Sequence, residues 1–104
     1  MSTTRLEKLI EMVAQNPGQS FLRYGLAMEY KNAGDLESAM SSFRELLTAD
    51  PEYSAAYFHG GQTLEKLGRL DEARELYGKG LEVTERKGDL HTRDEIRGAL
   101  DLLG

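Results

Sequence analysis

The chain has 104 residues, 39% of them hydrophobic and 30% charged, which suits one modest domain and is too apolar and too periodic for a disordered segment. A formal charge of -5 argues against a sequence-independent grip on phosphate backbones, which needs clustered Lys and Arg, and the acidic surface serves solubility first. Cysteine is absent, which excludes disulfides and thiolate metal clusters, and charged residues such as Glu7, Lys8 and Glu11 interrupt the apolar runs that a membrane span or secretory signal requires, so a soluble cytoplasmic protein is expected.

In chain order, Leu6, Leu9, Ile10 and Val13 stand at helical spacing, and Asn16-Pro17 ends the run because the residue before a proline is pushed out of the helical region. This predicts a first helix over 3–16. Phe21, Leu22, Tyr24, Leu26, Ala27 and Tyr30 continue a second from Ser20 to Ala33, with Gly34 as a left-handed stop. Leu36, Ala39, Met40, Phe43, Leu46 and Leu47 predict a third, closed by Asp50-Pro51. A fourth helix runs from Tyr53 to Leu67 before Gly68, and a fifth from Leu70 to Lys87 before Gly88. Glu85 stands where another proline is due, so the fifth should outrun the third by about one turn. Thr92 and Glu95 have the spacing of a capping box, followed by Ile96, Ala99, Leu100 and Leu103 on a sixth, terminal helix.

The second to fifth helices repeat themselves. Pro17 returns as Pro51, Gly34 as Gly68, Leu36 as Leu70, Ala39 as Ala73, Phe43 as Tyr77 and Leu47 as Leu81. A constant period of this length marks stacked helical hairpins, each burying its apolar face against neighbours.

These residues resemble the tetratricopeptide repeat. In one unit Leu26, Ala27, Tyr30, Gly34, Ala39, Phe43 and Pro51 match the family pattern, with Arg23 and Leu46 departing from it; in the next, Tyr57, Gly61, Leu64, Gly68, Ala73, Tyr77 and Gly80 match, with Gly60 and Glu85 departing. The resemblance implies an all-α solenoid of about six antiparallel helices in a single domain. Its expected parts are an N-terminal helix over 3–16, repeats over 18–51 and 52–87, and a capping helix over 89–104. Ala27, Gly61, Ala39 and Ala73 are small where helices approach, and Tyr30, Phe43, Leu64 and Tyr77 are expected to fill the spaces between hairpins. Gly80 has a packing place in the pattern; Gly78 has none.

The resemblance also implies a function. In such arrays the first helix of each hairpin lines a concave groove, which here points to Phe21, Tyr24 and Met28 from one unit, Phe58, His59 and Gln62 from the next, and Arg97 from the last helix. Tyr24, Met28 and Phe58 are large apolar residues that hairpin packing does not demand, so they read either as a peptide-binding patch rimmed by His59, Gln62 and Arg97 or as core covered by the terminal helices. The Lys/Asn clamp by which some family members hold a terminal carboxylate is missing, because Tyr24, Met28 and His59 occupy its places. The expected role is an adaptor that binds a peptide segment of a partner protein; the alternative is self-association, with the chain a monomer or weak homodimer. His59 and His91 lack metal-ligand spacing, and no positioned acid, base, nucleophile or phosphate loop is seen. No catalytic residue, metal, cofactor, nucleic acid or membrane is therefore expected.

Overall fold

The computed structural model of the chain describes residues 4–104, and among these it contains six α-helices and no strand: α1 (Arg5–Gln15), α2 (Ser20–Asn32), α3 (Leu36–Ala49), α4 (Ser54–Lys66), α5 (Leu70–Lys87) and α6 (Leu90–Leu103). The predicted start of the first helix at residue 3 lies outside the described residues. The architecture is all-α and repetitive, as the sequence period requires. Two compact units make up the chain, Met1–Pro51 and Glu52–Gly104.

Turns of one kind join α2 to α3, α4 to α5 and α5 to α6. At Gly34, Gly68 and Gly88 the backbone is left-handed, with φ of 83°, 78° and 74°, a region where a side chain would be strained. Each glycine N–H donates to the carbonyl three residues back (Lys31, Glu65, Glu85), and the next residue donates five back, from Asp35 to Tyr30, from Arg69 to Leu64 and from Asp89 to Thr84. This arrangement satisfies the last carbonyls of one helix and begins the next at once. Asp35 then caps α3 by accepting from the Ser38 N–H at 3.2 Å, and Asp89 caps α6 by accepting from the Thr92 N–H at 3.2 Å. The capping box expected at Thr92 is thus corrected: the helix starts at Leu90, and Thr92 is a buried residue of its first turn.

In the first unit Ala27 of α2 and Ala39, Met40, Phe43 and Leu46 of α3 are buried, α2 packs on α3, and α1 lies on α2 without burying any residue of its own. The second unit buries Ala56, Tyr57, Leu64, Ala73, Tyr77, Val83 and Ile96. Two of its glycines are required by close approach. A Cβ on Gly61 would sit 2.1 Å from the Tyr77 ring, and one on Gly80 would sit 2.6 Å from the Tyr57 Cβ and 2.8 Å from the Ile96 Cδ1. Tyr77 therefore fills its own hairpin, lying over the gap left by Gly61; Phe43 likewise meets Tyr24 of its own hairpin at a ring-centroid distance of 6.5 Å. The added turn of α5 is tied down at its end, where Arg86 pairs with Glu52 and the Lys87 ammonium donates to the Glu52 carbonyl and to Ser54 Oγ. Buried Thr63 and Thr84 satisfy their hydroxyls within their helices by donating to the carbonyls of His59 and Gly80 at 2.7 and 2.8 Å.

Candidate functional site

Helix α2 shows how the sequence sorts its faces. Successive residues of an α-helix are about 100° apart around the axis, so Phe21, Tyr24 and Met28 share one face, while Leu26 and Tyr30 occupy the opposite one. Ala27 is completely buried, and Gly25 approaches Leu9 of α1, its would-be Cβ 3.6 Å from the Leu9 Cδ2. Phe21 is 73% exposed, and Tyr24 and Met28 are half-buried. Through its tilted contact with Phe43, half-buried Tyr24 is part of the hairpin's packing as well as of this face.

Helix α4 repeats the arrangement in the second unit. Phe58 and Gln62, one turn apart, share a face and are half-buried; His59, also half-buried, lies at its edge with its ring 5.2 Å from that of Phe58, edge to face. Beside them Gln62, Glu65 and Lys66 line a small cleft of about 200 Å³. Glu65 was not among the residues expected from the sequence. Its carboxylate accepts a hydrogen bond from the hydroxyl of buried Tyr77, which reaches it from α5. Burial, then the hydrogen bond to Glu65 and its negative charge, push the Tyr77 phenol far above its ordinary value of 10.0, so it stays a neutral donor. A signal was present in the repeat: where the first hairpin has Phe43 and Lys31, the second has Tyr77 and Glu65, so hydroxyl and acceptor arrive together.

Arg97 is exposed on α6 and pairs with Glu85 of α5 at 3.1 Å. This is an ion pair in water and contributes little to stability. His91 faces Glu95 one turn along α6 at 3.5 Å, again on the surface. Among the described residues no group of three or more His, Cys, Asp or Glu is placed to hold a metal ion, and no helix is long and apolar enough to cross a membrane.

The glycine-closed hairpins and the small residues at their crossings define a helical-repeat protein, and comparison with known sequences gives the family. A tetratricopeptide repeat profile matches residues 30–86, more than half of the chain. The TPR repeat-containing protein PA0015 of Pseudomonas aeruginosa is 32% identical over 91 residues, which span 88% of this chain and 87% of that protein. The chain belongs to the tetratricopeptide repeat family. Among solved structures, a tetratricopeptide repeat domain protein from Salinibacter ruber matches with a TM-score of 0.79 and 33% identity over 85% of this chain and 89% of its own. PcrH, in complex with the chaperone binding region of PopD, matches with a TM-score of 0.88 over 94% of this chain and 74% of its own; at 15% identity this is a likeness of fold alone.

Proposed function

We propose that the chain is a protein-interaction module for an extended or helical segment of a partner protein, and that each unit offers a face of its own: α2 with Tyr24 and Met28 in the first, and α4 with Phe58, His59 and Gln62, joined by Arg97 of α6, in the second. The observation that carries this reading is the face of α2: Phe21, Tyr24 and Met28 recur at i, i+3 and i+7, and α2 nevertheless leaves Phe21 73% exposed and the other two half-open. The same spacing in α4 presents Phe58 beside groups that hydrogen-bond, the His59 ring and the Gln62 amide, as peptide recognition requires. A protein of the same fold, PcrH, is seen in complex with a region of PopD, which supports binding of a segment rather than chemistry on a small substrate.

The test is capture of partners by full-length wild type and by a Met28→Glu, Phe58→Glu variant whose helicity and melting are unchanged. Charges on both faces should abolish recovery of the captured proteins. Equal recovery would remove these faces from the site.

A further inference from the structure

The ridge of α4 that carries Phe58 and Gln62 ends on a carboxylate. Phe58, Gln62 and Glu65 recur at i, i+4 and i+7, so they fall within about 60° of one another around the helix axis, and all three are half-buried. Gln62 and Glu65 line the cleft of about 200 Å³ together with Lys66. Lys66 is exposed and stands about 100° further around the axis, where its long side chain reaches water.

Glu65 is held in one orientation. Gly61 leaves room for the Tyr77 ring to lie against α4, and the Tyr77 hydroxyl donates to Glu65 Oε2 one turn beyond that glycine. Tyr77 is completely buried and cannot turn away, so the carboxylate is fixed from below. A carboxylate has about four acceptor sites, and a single bond from Tyr77 orients the group while leaving most of that capacity for a ligand. The first hairpin has neither half of this device: Phe43 lacks the hydroxyl, and Lys31 stands in the place of Glu65 on a ridge otherwise formed by Tyr24 and Met28. Repeat packing therefore does not demand Glu65, since the first hairpin folds with a lysine there.

We infer that Glu65, oriented by Tyr77, sets the charge preference of the second unit: it receives a lysine or arginine of a bound protein segment whose apolar side chain sits on Phe58. This rests on the reading of α4 as a binding face and adds to it the sign of the ligand. Seven residues of α4 separate Phe58 from Glu65 by about 10 Å, which three residues of an extended segment span, so the basic side chain follows or precedes the apolar one by three positions. A carboxylate oriented in advance binds a cation without the entropy cost of ordering its own side chain, and opposite charge then selects among segments that share the apolar anchor. Tyr77 is here a positioning residue, acting only through Glu65.

The probe is a displayed library of random peptides, selected on the full chain carrying Met28→Glu, which closes the face of the first unit, and on the same chain with Glu65→Lys or Phe58→Glu added. The parent should enrich peptides with Lys or Arg three positions from an aliphatic or aromatic residue, Glu65→Lys should enrich Asp or Glu there, and Phe58→Glu should enrich neither. A selected lysine peptide should bind Glu65→Lys about tenfold or more weakly than the parent, while its glutamine twin binds both alike. Tyr77→Phe, the residue that the first hairpin holds, should weaken the lysine peptide about threefold and leave the twin unchanged, a split that a purely structural role would not produce. Enrichment that depends on Phe58 but shows no charge preference, or the same preference in Glu65→Lys, overturns the inference and leaves the α4 face standing. Absence of enrichment, or enrichment indifferent to Phe58→Glu, removes the face and the inference with it. Equal weakening of both peptides by Tyr77→Phe overturns the positioning role of Tyr77. Should Glu65→Lys fail to fold, Glu65→Gln decides, since its amide oxygen still accepts from Tyr77 while the charge preference should vanish.

Discussion

At the scale of single residues, three of the four glycines inside α4 and α5 look alike in the sequence and differ sharply in the structure. Gly61 and Gly80 face buried rings and side chains at distances no Cβ tolerates, whereas nothing lies within 4 Å of the place a Cβ would take on Gly78. Gly61→Ala should therefore destabilise by about 1–3 kcal/mol through overpacking against Tyr77, which is completely buried and has nowhere to turn. Gly78→Ala should stabilise by about 0.5–1 kcal/mol, because it removes unfolded-state freedom from a helix interior at no steric cost. Urea unfolding of the two variants checks both signs. The family pattern made Gly61 and Gly80 legible in the sequence, since it reserves small residues for their places, and it left Gly78 without a packing place, as the structure does. Glu65 was harder to see. Its partner Tyr77 reads as a core aromatic, and only the joint change from Phe43 and Lys31 to Tyr77 and Glu65 carries the hydrogen bond.

At the scale of helices, the same turn serves three junctions but is capped at only two. Asp35 and Asp89 follow their left-handed glycines and accept from the third residue on, whereas Arg69 occupies the equivalent place with φ -91° and ψ 70°, close to the -86° and 78° of Asp35, and makes no side-chain cap. The backbone is thus already set for an acceptor there, and Arg69→Asn should raise stability by about 1 kcal/mol, read as a higher urea midpoint at constant slope. Asp89 responds to pH. Burial pushes its carboxyl upward, but hydrogen bonds from the Thr92 N–H and hydroxyl and from Ser54, together with the Lys87 charge, outweigh burial and hold it below its ordinary value of 3.8. A depressed value means that the charged cap stabilises the fold above the unfolded carboxyl's titration near 3.8, and that this contribution disappears as pH falls through the lower folded value. Asp89→Ala should cost about 1 kcal/mol at neutral pH, and the gap to wild type should close in acid below both values. A gap that stayed constant down to that range would show that the charge is not what caps α6. The sequence placed this helix over 89–104 but named the wrong cap, because Thr92 and Glu95 imitate a capping box while the acceptor at Asp89 follows directly on Gly88 with no intervening loop.

Over the molecule as a whole, burial is uneven, and it predicts where the chain opens first. Of the largest fully buried side chains among the described residues, Leu64, Tyr77, Ile96, Thr63 and Thr84 belong to the second unit, and Phe43 and Leu46 to the first. The end of α5 adds contacts from Arg86 and Lys87 to Glu52 and Ser54, so the second unit also ties the start of its first helix to the end of its second. By contrast α1 buries no residue, although its apolar positions were as regular in the sequence as those of α3: periodicity reports that a helix has an apolar face, not how much of that face is covered. Local opening follows buried apolar contact rather than helical propensity, and short helices gain most of their stability from packing. Native-state hydrogen exchange should accordingly find the amides of α1 opening at the lowest free energy, those of α2 and α3 higher, and those at Leu64, Tyr77 and Val83 near the global value. Amides of α1 as slow as those of α4 in the free chain would contradict this order and show that α1 is held by more than its half-buried contact with α2.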